Sequence, residues 1–223
     1  MAVLNSESTQ VHRDVSGIFF RRVCVYAKQQ SSNIEGQTRL TSDFIFPDAR
    51  EFTLDLNTAH RDLYLSEGNT RVVRGTQQLY PDHLDRFDFW RQVLCQEGIS
   101  ASCYWEVEWS VKATIGVAYR RMCRKGEGCD AWLGQNAASW SLSCSSRGYS
   151  VCHNKKTVSM TTPHISSRIG LYLDWPAGKL SFYKVSSGTL THLHSFHTTF
   201  TERLYPGFRL GWIKSSVALV QVE

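Results

Sequence analysis

Apolar and polar residues alternate with a period of two along most of the chain. In Tyr104-Trp105-Glu106-Val107-Glu108-Trp109 the apolar Trp105, Val107 and Trp109 fall on one side. Ile115, Val117 and Tyr119 repeat the pattern, as do Ile169, Leu171, Leu173 and Trp175, then Leu180 and Phe182, then Val217 and Leu219. Successive side chains of a strand point to opposite faces, so this period predicts strands with one face in a core. Turn signals separate them. Trp175-Pro176-Ala177-Gly178 predicts a hairpin between strands 169–175 and 179–185, and Lys125-Gly126-Glu127-Gly128, Ser146-Arg147-Gly148 and Ser186-Ser187-Gly188 predict further loops. Short strands at this spacing indicate an all-β antiparallel sandwich or barrel. One segment departs: Phe87, Trp90, Val93 and Leu94 fall at helical spacing, which predicts an amphipathic helix over 86–96. Residues 1–46 show no period and remain unassigned.

The 223 residues suit one domain, or one domain with an extension, and can bury a core without metal or disulfide staples. A hydrophobic share of 42% with 20% charged residues excludes disorder and a coiled coil. Apolar runs such as Val23-Cys24-Val25-Tyr26-Ala27 are far too short to span a membrane, and Met1–Glu7 has no secretory pattern, so no membrane partner is expected. Seven irregularly spaced cysteines and no Asn-x-Ser/Thr sequon favour reduced thiols and a cytoplasmic location. The formal charge of +5 is unevenly placed. Arg120, Arg121, Arg124, Lys125, Arg147, Lys155, Lys156 and Arg168 face only Glu127 and Asp130 within 119–168, a local charge of +6. Were these segments to converge, they would form a basic patch suited to an acidic partner or a phosphate.

Catalytic chemistry finds little support. His192 and His194, two apart on a strand with His197 beyond, would point to one side as zinc ligands do, but no third ligand is evident and exposed strand histidines are the plainer reading. No Cys-x-x-Cys, Gly-x-Ser-x-Gly, His-Glu-x-x-His, phosphate-binding loop or dinucleotide fingerprint occurs. No enzyme, metal or cofactor is therefore expected. What remains is aromatic and basic: Tyr119, Trp132, Trp140 and Tyr149 stand in or beside the loops of the basic stretch. Such residues anchor protein interfaces. The same mixture suits single-stranded nucleic acid, which is the weaker reading.

An ordered series of motifs resembles a known family. Thr53-Leu54-Asp55-Leu56-Asn57-Thr58-Ala59-His60 with Leu63-Tyr64-Leu65-Ser66-Glu67 resembles the opening of a PRY segment. Arg86-Phe87-Asp88, Val93-Leu94 and Tyr104-Trp105-Glu106-Val107-Glu108 resemble the junction into a SPRY domain, and Ile169–Trp175, Leu180-Ser181-Phe182-Tyr183 and Leu204-Tyr205-Pro206-Gly207-Phe208 continue it in order. The resemblance to PRY–SPRY, or B30.2, covers 47–223, with PRY over about 47–98 and SPRY over about 99–223. It departs at Leu54-Asp55-Leu56, where the family has Leu-Asp-Pro, and at Leu173-Asp174-Trp175, where it has Leu-Asp-Tyr.

The resemblance implies a bent antiparallel β-sandwich of two sheets, and makes 91–96 a strand rather than a helix. It also implies a non-catalytic module that reads a protein target through loops at one end of the sandwich, often within ubiquitin ligases or innate immune sensors. Those loops should correspond to 68–82, 120–131, 143–158 and 186–192, with Trp132 where relatives place an aromatic at the pocket rim. The contact residues expected on this basis are Tyr119, Arg124, Lys125, Trp132 and Tyr149, favouring a partner with an acidic surface. Two alternatives carry over. Butyrophilin-type members hold phosphorylated ligands in a basic pocket that Arg124-Lys125-Gly126 partly resembles, although Ala113 and Thr114 stand where histidines are expected. Fish pore-forming toxins end in the same domain.

Overall fold

A computed structural model describes residues 39–40, 50–162 and 164–221; the unassigned stretch 1–46 otherwise lies outside the described residues. Among the described residues, fourteen strands form two antiparallel sheets: β1 (Arg39–Leu40), β2 (Leu63–Ser66), β3 (Arg71–Arg74), β4 (Gln92–Leu94), β5 (Cys103–Ser110), β6 (Lys112–Tyr119), β7 (Ser139–Ser145), β8 (Gly148–His153), β9 (Lys156–Met160), β10 (Arg168–Asp174), β11 (Lys179–Ser186), β12 (Thr189–His197), β13 (Leu204–Arg209) and β14 (Ser216–Val220). An eight-stranded sheet runs β1-β12-β11-β10-β5-β14-β3-β2, and a six-stranded sheet runs β4-β13-β6-β7-β8-β9. The expected sandwich is what forms.

The alternating residues fill the space between the sheets. Trp105, Val107, Trp109, Ile169, Leu171, Leu173, Leu180 and Phe182 from the larger sheet meet Val93, Ile115, Val117, Trp140, Leu142 and Phe208 from the smaller one, all within one buried cluster. Burial of this much apolar surface is the main force holding two sheets face to face. The hairpin predicted at Trp175–Gly178 joins β10 to β11, with Gly178 at φ 67 donating to the Trp175 carbonyl at 3.1 Å. The loop over 84–90 and the strand β4 replace the helix that spacing alone suggested. Val93 and Leu94 are both buried there, one beneath each face of the short strand, so two flanking layers rather than one helical stripe account for their hydrophobicity.

Three local features depart from regular sandwich geometry. The turn that lacks the family's proline is held instead by Asp55, whose side chain accepts from the Asn57 N–H at 3.0 Å and whose carbonyl accepts from Thr58 at 2.9 Å. Between β5 and β6 the chain passes from one sheet to the other through Val111 alone, at φ 60. A β-branched residue in the left-handed region is an outlier, so this corner is strained. Finally, the β11–β12 register slips between Phe182 and Tyr183: His194 pairs with Phe182, but His192 pairs with Tyr183.

That bulge corrects the zinc geometry expected of the histidines. Residues opposite each other share a face, and Phe182 belongs to the inner cluster while Tyr183 belongs to an outer one. His192 and His194 are therefore turned to opposite faces, because the extra residue breaks the two-residue period. Among the described residues no group of three His, Cys, Asp or Glu side chains is placed to hold a metal.

Candidate functional site: an arginine between tryptophans

The chain from β6 to β7 leaves the end of these two central strands of the six-stranded sheet and folds back over its outer face. A 3-10 turn, Cys129–Ala131, ends at Trp132, whose N–H donates to the Cys129 carbonyl at 3.0 Å. Two buried amides fix it. Asn136 donates to the carbonyls of Cys129, Asp130 and Trp132 at 3.1, 3.1 and 2.9 Å. Gln92, on β4, donates to the Ala131 carbonyl at 2.8 Å and accepts from the Leu133 N–H at 2.8 Å, so it grips the chain on both sides of Trp132. Both amides are satisfied by main chain, which makes the loop a rigid part of the scaffold.

Trp132 is thereby laid against Trp90, with ring centroids 4.4 Å apart and planes 28° apart. Phe89 packs edge-on to Trp90 at 5.1 Å and is 38% exposed. Arg209, at the end of β13, places its guanidinium 4.8 Å from the Trp132 ring and 5.3 Å from the Trp90 ring. No carboxylate pairs with it among the described residues, and its Nε is buried without a hydrogen-bond partner. Burial, helped by the nearby Arg74 cation, brings its pKa down to about 10. The guanidinium stays charged at neutral pH, half-desolvated and uncompensated except by two indole faces. That is the electrostatic condition of a group awaiting an anion.

Arg209 looks onto a polar floor. In register across the sheet lie Gln92, Arg209, Thr114, Ser143, Ser150 and Ser159. Hydroxyls dominate this row and it contains no acid, so nothing in it neutralises the arginine.

The five residues singled out from the sequence divide sharply. Trp132 is half-buried in the cluster with Trp90 and Arg209. Lys125 is exposed nearby, its ammonium donating to the carbonyls of Arg86 at 2.8 Å and His83 at 3.2 Å. Tyr119 and Tyr149 instead belong to the core, at 3% and 2% exposure. The Tyr119 hydroxyl accepts from the Thr201 N–H at 3.1 Å, and the Tyr149 hydroxyl donates to the Ser166 carbonyl at 3.1 Å while accepting from the Ser166 N–H at 2.8 Å. Arg124 is buried as well: it lies 4.9 Å over Phe87 and donates to the carbonyls of Met122 and Arg120. Tyr119 ends β6 and Tyr149 lies on β8, each with its ring in the core, and the loop after β6 turns Arg124 inward, so none of the three presents the exposed side chain that the expected contact role calls for.

The basic patch is corrected too. Arg120 pairs with Asp85 at 2.8 Å and with Asp55 at 3.5 Å, and Arg121 pairs with Glu202. Arg168 lies on the other sheet, paired with Glu106. Acids distant in sequence thus neutralise much of what looked unopposed. The stretch 143–158, expected as a loop, is the end of β7, all of β8 and the start of β9, joined by tight turns. Phe89, Trp90 and Arg209 escaped sequence reasoning: Trp90 was absorbed into a helical pattern, and Arg209 is one cation beyond an apolar strand motif. Its only signal was a charge at the alternation phase of Gly207, on the face opposite the buried Phe208.

Comparisons with known proteins agree with this architecture. The model of the SPRY-associated domain, PRY, matches residues 52–99 and that of the SPRY domain matches 102–221. The chain is 45% identical over 163 residues to neoverrucotoxin subunit beta of Synanceia verrucosa, covering 72% of this chain and 23% of that protein. It is 33% identical over 202 residues to tripartite motif-containing protein 16 of Mus musculus, covering 89% of this chain and 36% of that one. The chain thus spans about a quarter to a third of these relatives. Among solved structures, stonustoxin superposes with a TM-score of 0.72 at 43% identity, over 77% of this chain and 27% of that one. The TRIM65 PSpry domain superposes with a TM-score of 0.71 at 28% identity, over 78% and 91%. The two matched models, in order and covering most of both sheets, place the chain in the PRY–SPRY family, whose domains serve as protein-interaction modules.

Proposed function

We propose that this domain recognises a protein target through the rigid surface formed by Trp132, Trp90, Phe89 and Arg209, with Lys125 at its margin. The observation that carries the reading is the unpaired Arg209 guanidinium held flat against two indoles. Aromatic anchors give contact area at low entropic cost, and a desolvated cation gains most from a carboxylate that arrives with the partner. The preferred partner therefore presents an acidic side chain flanked by apolar ones. Recognition of targets for ubiquitin ligation or innate defence, in the cytoplasm, is the setting we propose. The role we propose for this surface is binding rather than catalysis.

A second reading rests on the same arginine. An uncompensated guanidinium above a row of hydroxyls also suits a small phosphorylated ligand. A toxin-subunit context is the third, drawn from the relatives in Synanceia.

The deciding experiment captures partners from cytosol with wild-type protein and with a Trp132→Ala, Arg209→Met double variant of unchanged melting temperature. A protein retained by the wild type and lost by the variant is the expected result. Identical capture by both would refute the site. Calorimetric titration with phosphorylated metabolites, giving heat only with the wild type, would instead favour the second reading.

A further inference from the structure

Trp212, Ile213 and Val111 are 60%, 69% and 53% exposed, and the arginine–tryptophan surface makes no use of them. They come from two turns at one corner of the sandwich. Ser110 and Ser216 are register partners whose hydroxyls lie 2.8 Å apart, which sets the Val111 turn beside the 211–215 loop. Lys112, next after Val111, reaches to 5.8 Å from the centre of the Trp212 ring. We infer that this corner is a peripheral membrane-docking tip, in which Trp212, Ile213 and Val111 enter the headgroup region of an anionic bilayer while Lys112 and Lys214 meet lipid phosphates and carboxylates.

Four features carry the inference. First, the tip is small. Three side chains fall far short of the roughly 800 Å² per partner that a stable protein interface buries, whereas a few apolar groups suffice for interfacial insertion. Trp favours the headgroup level, where an apolar ring and a polar N–H are both accommodated. Second, the rim is cationic without internal compensation. Neither Lys112 nor Lys214 has an ion-pair partner among the described residues. The acids on the strands feeding these turns, Glu106 and Glu108, both face Arg168. Strands β6, β13 and β14 carry none.

Third, the tip is already ordered. The Lys214 N–H donates to the Arg74 carbonyl at 3.0 Å, the Arg74 N–H to the Ser215 carbonyl at 2.9 Å, and the Ser215 N–H to the Trp212 carbonyl at 3.1 Å. The Arg74 guanidinium also holds the Gly211 carbonyl. Insertion would therefore require little further ordering of the loop. Fourth, Val111 occupies a left-handed corner that glycine would take without strain. An exposed apolar side chain kept at a strained position contributes nothing to the core, which points to a role at the surface. A docked corner of this kind needs no transmembrane segment.

The test is co-sedimentation of the whole chain with phosphatidylcholine–phosphatidylserine vesicles and with vesicles of phosphatidylcholine alone. Binding is expected to the first and to be much weaker to the second. The Trp212→Ala, Ile213→Ala variant should lose partitioning by about tenfold or more, from the apolar area removed. Lys112→Glu with Lys214→Glu should abolish the preference for phosphatidylserine, and Val111→Gly should bind less while melting higher. The Trp132→Ala, Arg209→Met variant should bind vesicles as the wild type does, which separates this proposal from the protein-recognition site. No wild-type binding to either vesicle, or equal binding by the folded Trp212→Ala, Ile213→Ala variant, would overturn it. If that variant instead loses a partner protein while vesicles go unbound, the tip belongs to the protein-binding surface and the membrane assignment fails.

Discussion

Replacing Arg209 by methionine should leave the protein as stable as before or make it more stable, although a half-buried, well-packed residue is being changed. The protonation equilibrium sets the scale. Burial, with the nearby Arg74 cation, lowers the Arg209 pKa from the usual guanidinium range to about 10, which at roughly 1.36 kcal/mol per pH unit puts the penalty for holding the charge at about 3 kcal/mol. Contacts with Trp90 and Trp132 offset part of that, each cation–π pair contributing about 0.5–2 kcal/mol. Methionine keeps the unbranched stem against both indoles and removes the desolvated charge, along with the partnerless Nε. The expected outcome is a gain of about 0–2 kcal/mol, which for a domain of this size raises the melting temperature by up to about 4–8 °C. Below about pH 9 both folded and unfolded chains keep the proton, so the offset should be the same at pH 6 and pH 8.

Arg124→Met is the control. That guanidinium is also buried and its Nε is likewise without a partner, yet its terminal nitrogens satisfy the carbonyls of Met122 and Arg120. Its loss orphans buried acceptors and should destabilise by about 1–3 kcal/mol. Chemical denaturation of the two variants beside the wild type would show opposite signs. A loss of more than about 1 kcal/mol in Arg209→Met would refute the claim that this arginine is held ready for a ligand rather than for the fold.

Other consequences can be measured in the same way. Gly116 lies beneath the Trp140 carbonyl and Ser141 of the neighbouring strand, and an added Cβ would collide with main chain, so Gly116→Ala should abolish folding or lower stability by more than about 3 kcal/mol on urea denaturation. Tyr149→Phe removes a hydroxyl bonded twice to Ser166 and should reduce stability by about 1–3 kcal/mol without affecting partner capture, whereas a loss of capture in the folded variant would restore Tyr149 as a contact. Acidification supplies a further check. Burial holds the His60 pKa below 6.5, so as pH falls beneath 6.5 the unfolded chain takes the proton first and stability is lost down to the folded pKa. His192 and His194 are shifted the same way by the same cause. Thermal melts between pH 7 and 5 should decline, and less steeply in His60→Gln.

Much of the fold was legible because it rests on local alternation. Trp105, Val107 and Trp109 declare an inner face through their spacing, and β10 and β11 declare themselves with the turn at Pro176-Ala177-Gly178. The β4 segment misled on period alone, since three residues cannot establish a period and both of its faces are covered. The histidines on β12 misled for a related reason: a bulge inserts one residue and reverses the facing of everything beyond it, and no local chemistry in Leu193 announces that.

The candidate site was legible only at Trp132 and, at its margin, Lys125. Glycines and charges marked the chain around it as a loop, but not that the loop would fold back and bury Arg124 beside Phe87. Charge counted along the chain could not show that Asp55, Asp85 and Glu202 would meet Arg120 and Arg121, because ion pairing depends on distance in space. By itself, then, the period of neighbouring residues determined most of the strands and their inward faces, while the choice of a sandwich over a barrel came from the family resemblance. Tertiary structure alone decided which cations stay uncompensated and which aromatics stay exposed. Trp90, Trp132 and Arg209 come from three separate segments, and only the register of β4, β13 and β6 brings them to separations of 4.4, 4.8 and 5.3 Å. Desolvation and pairing are properties of that assembled surface, and no one segment contains them.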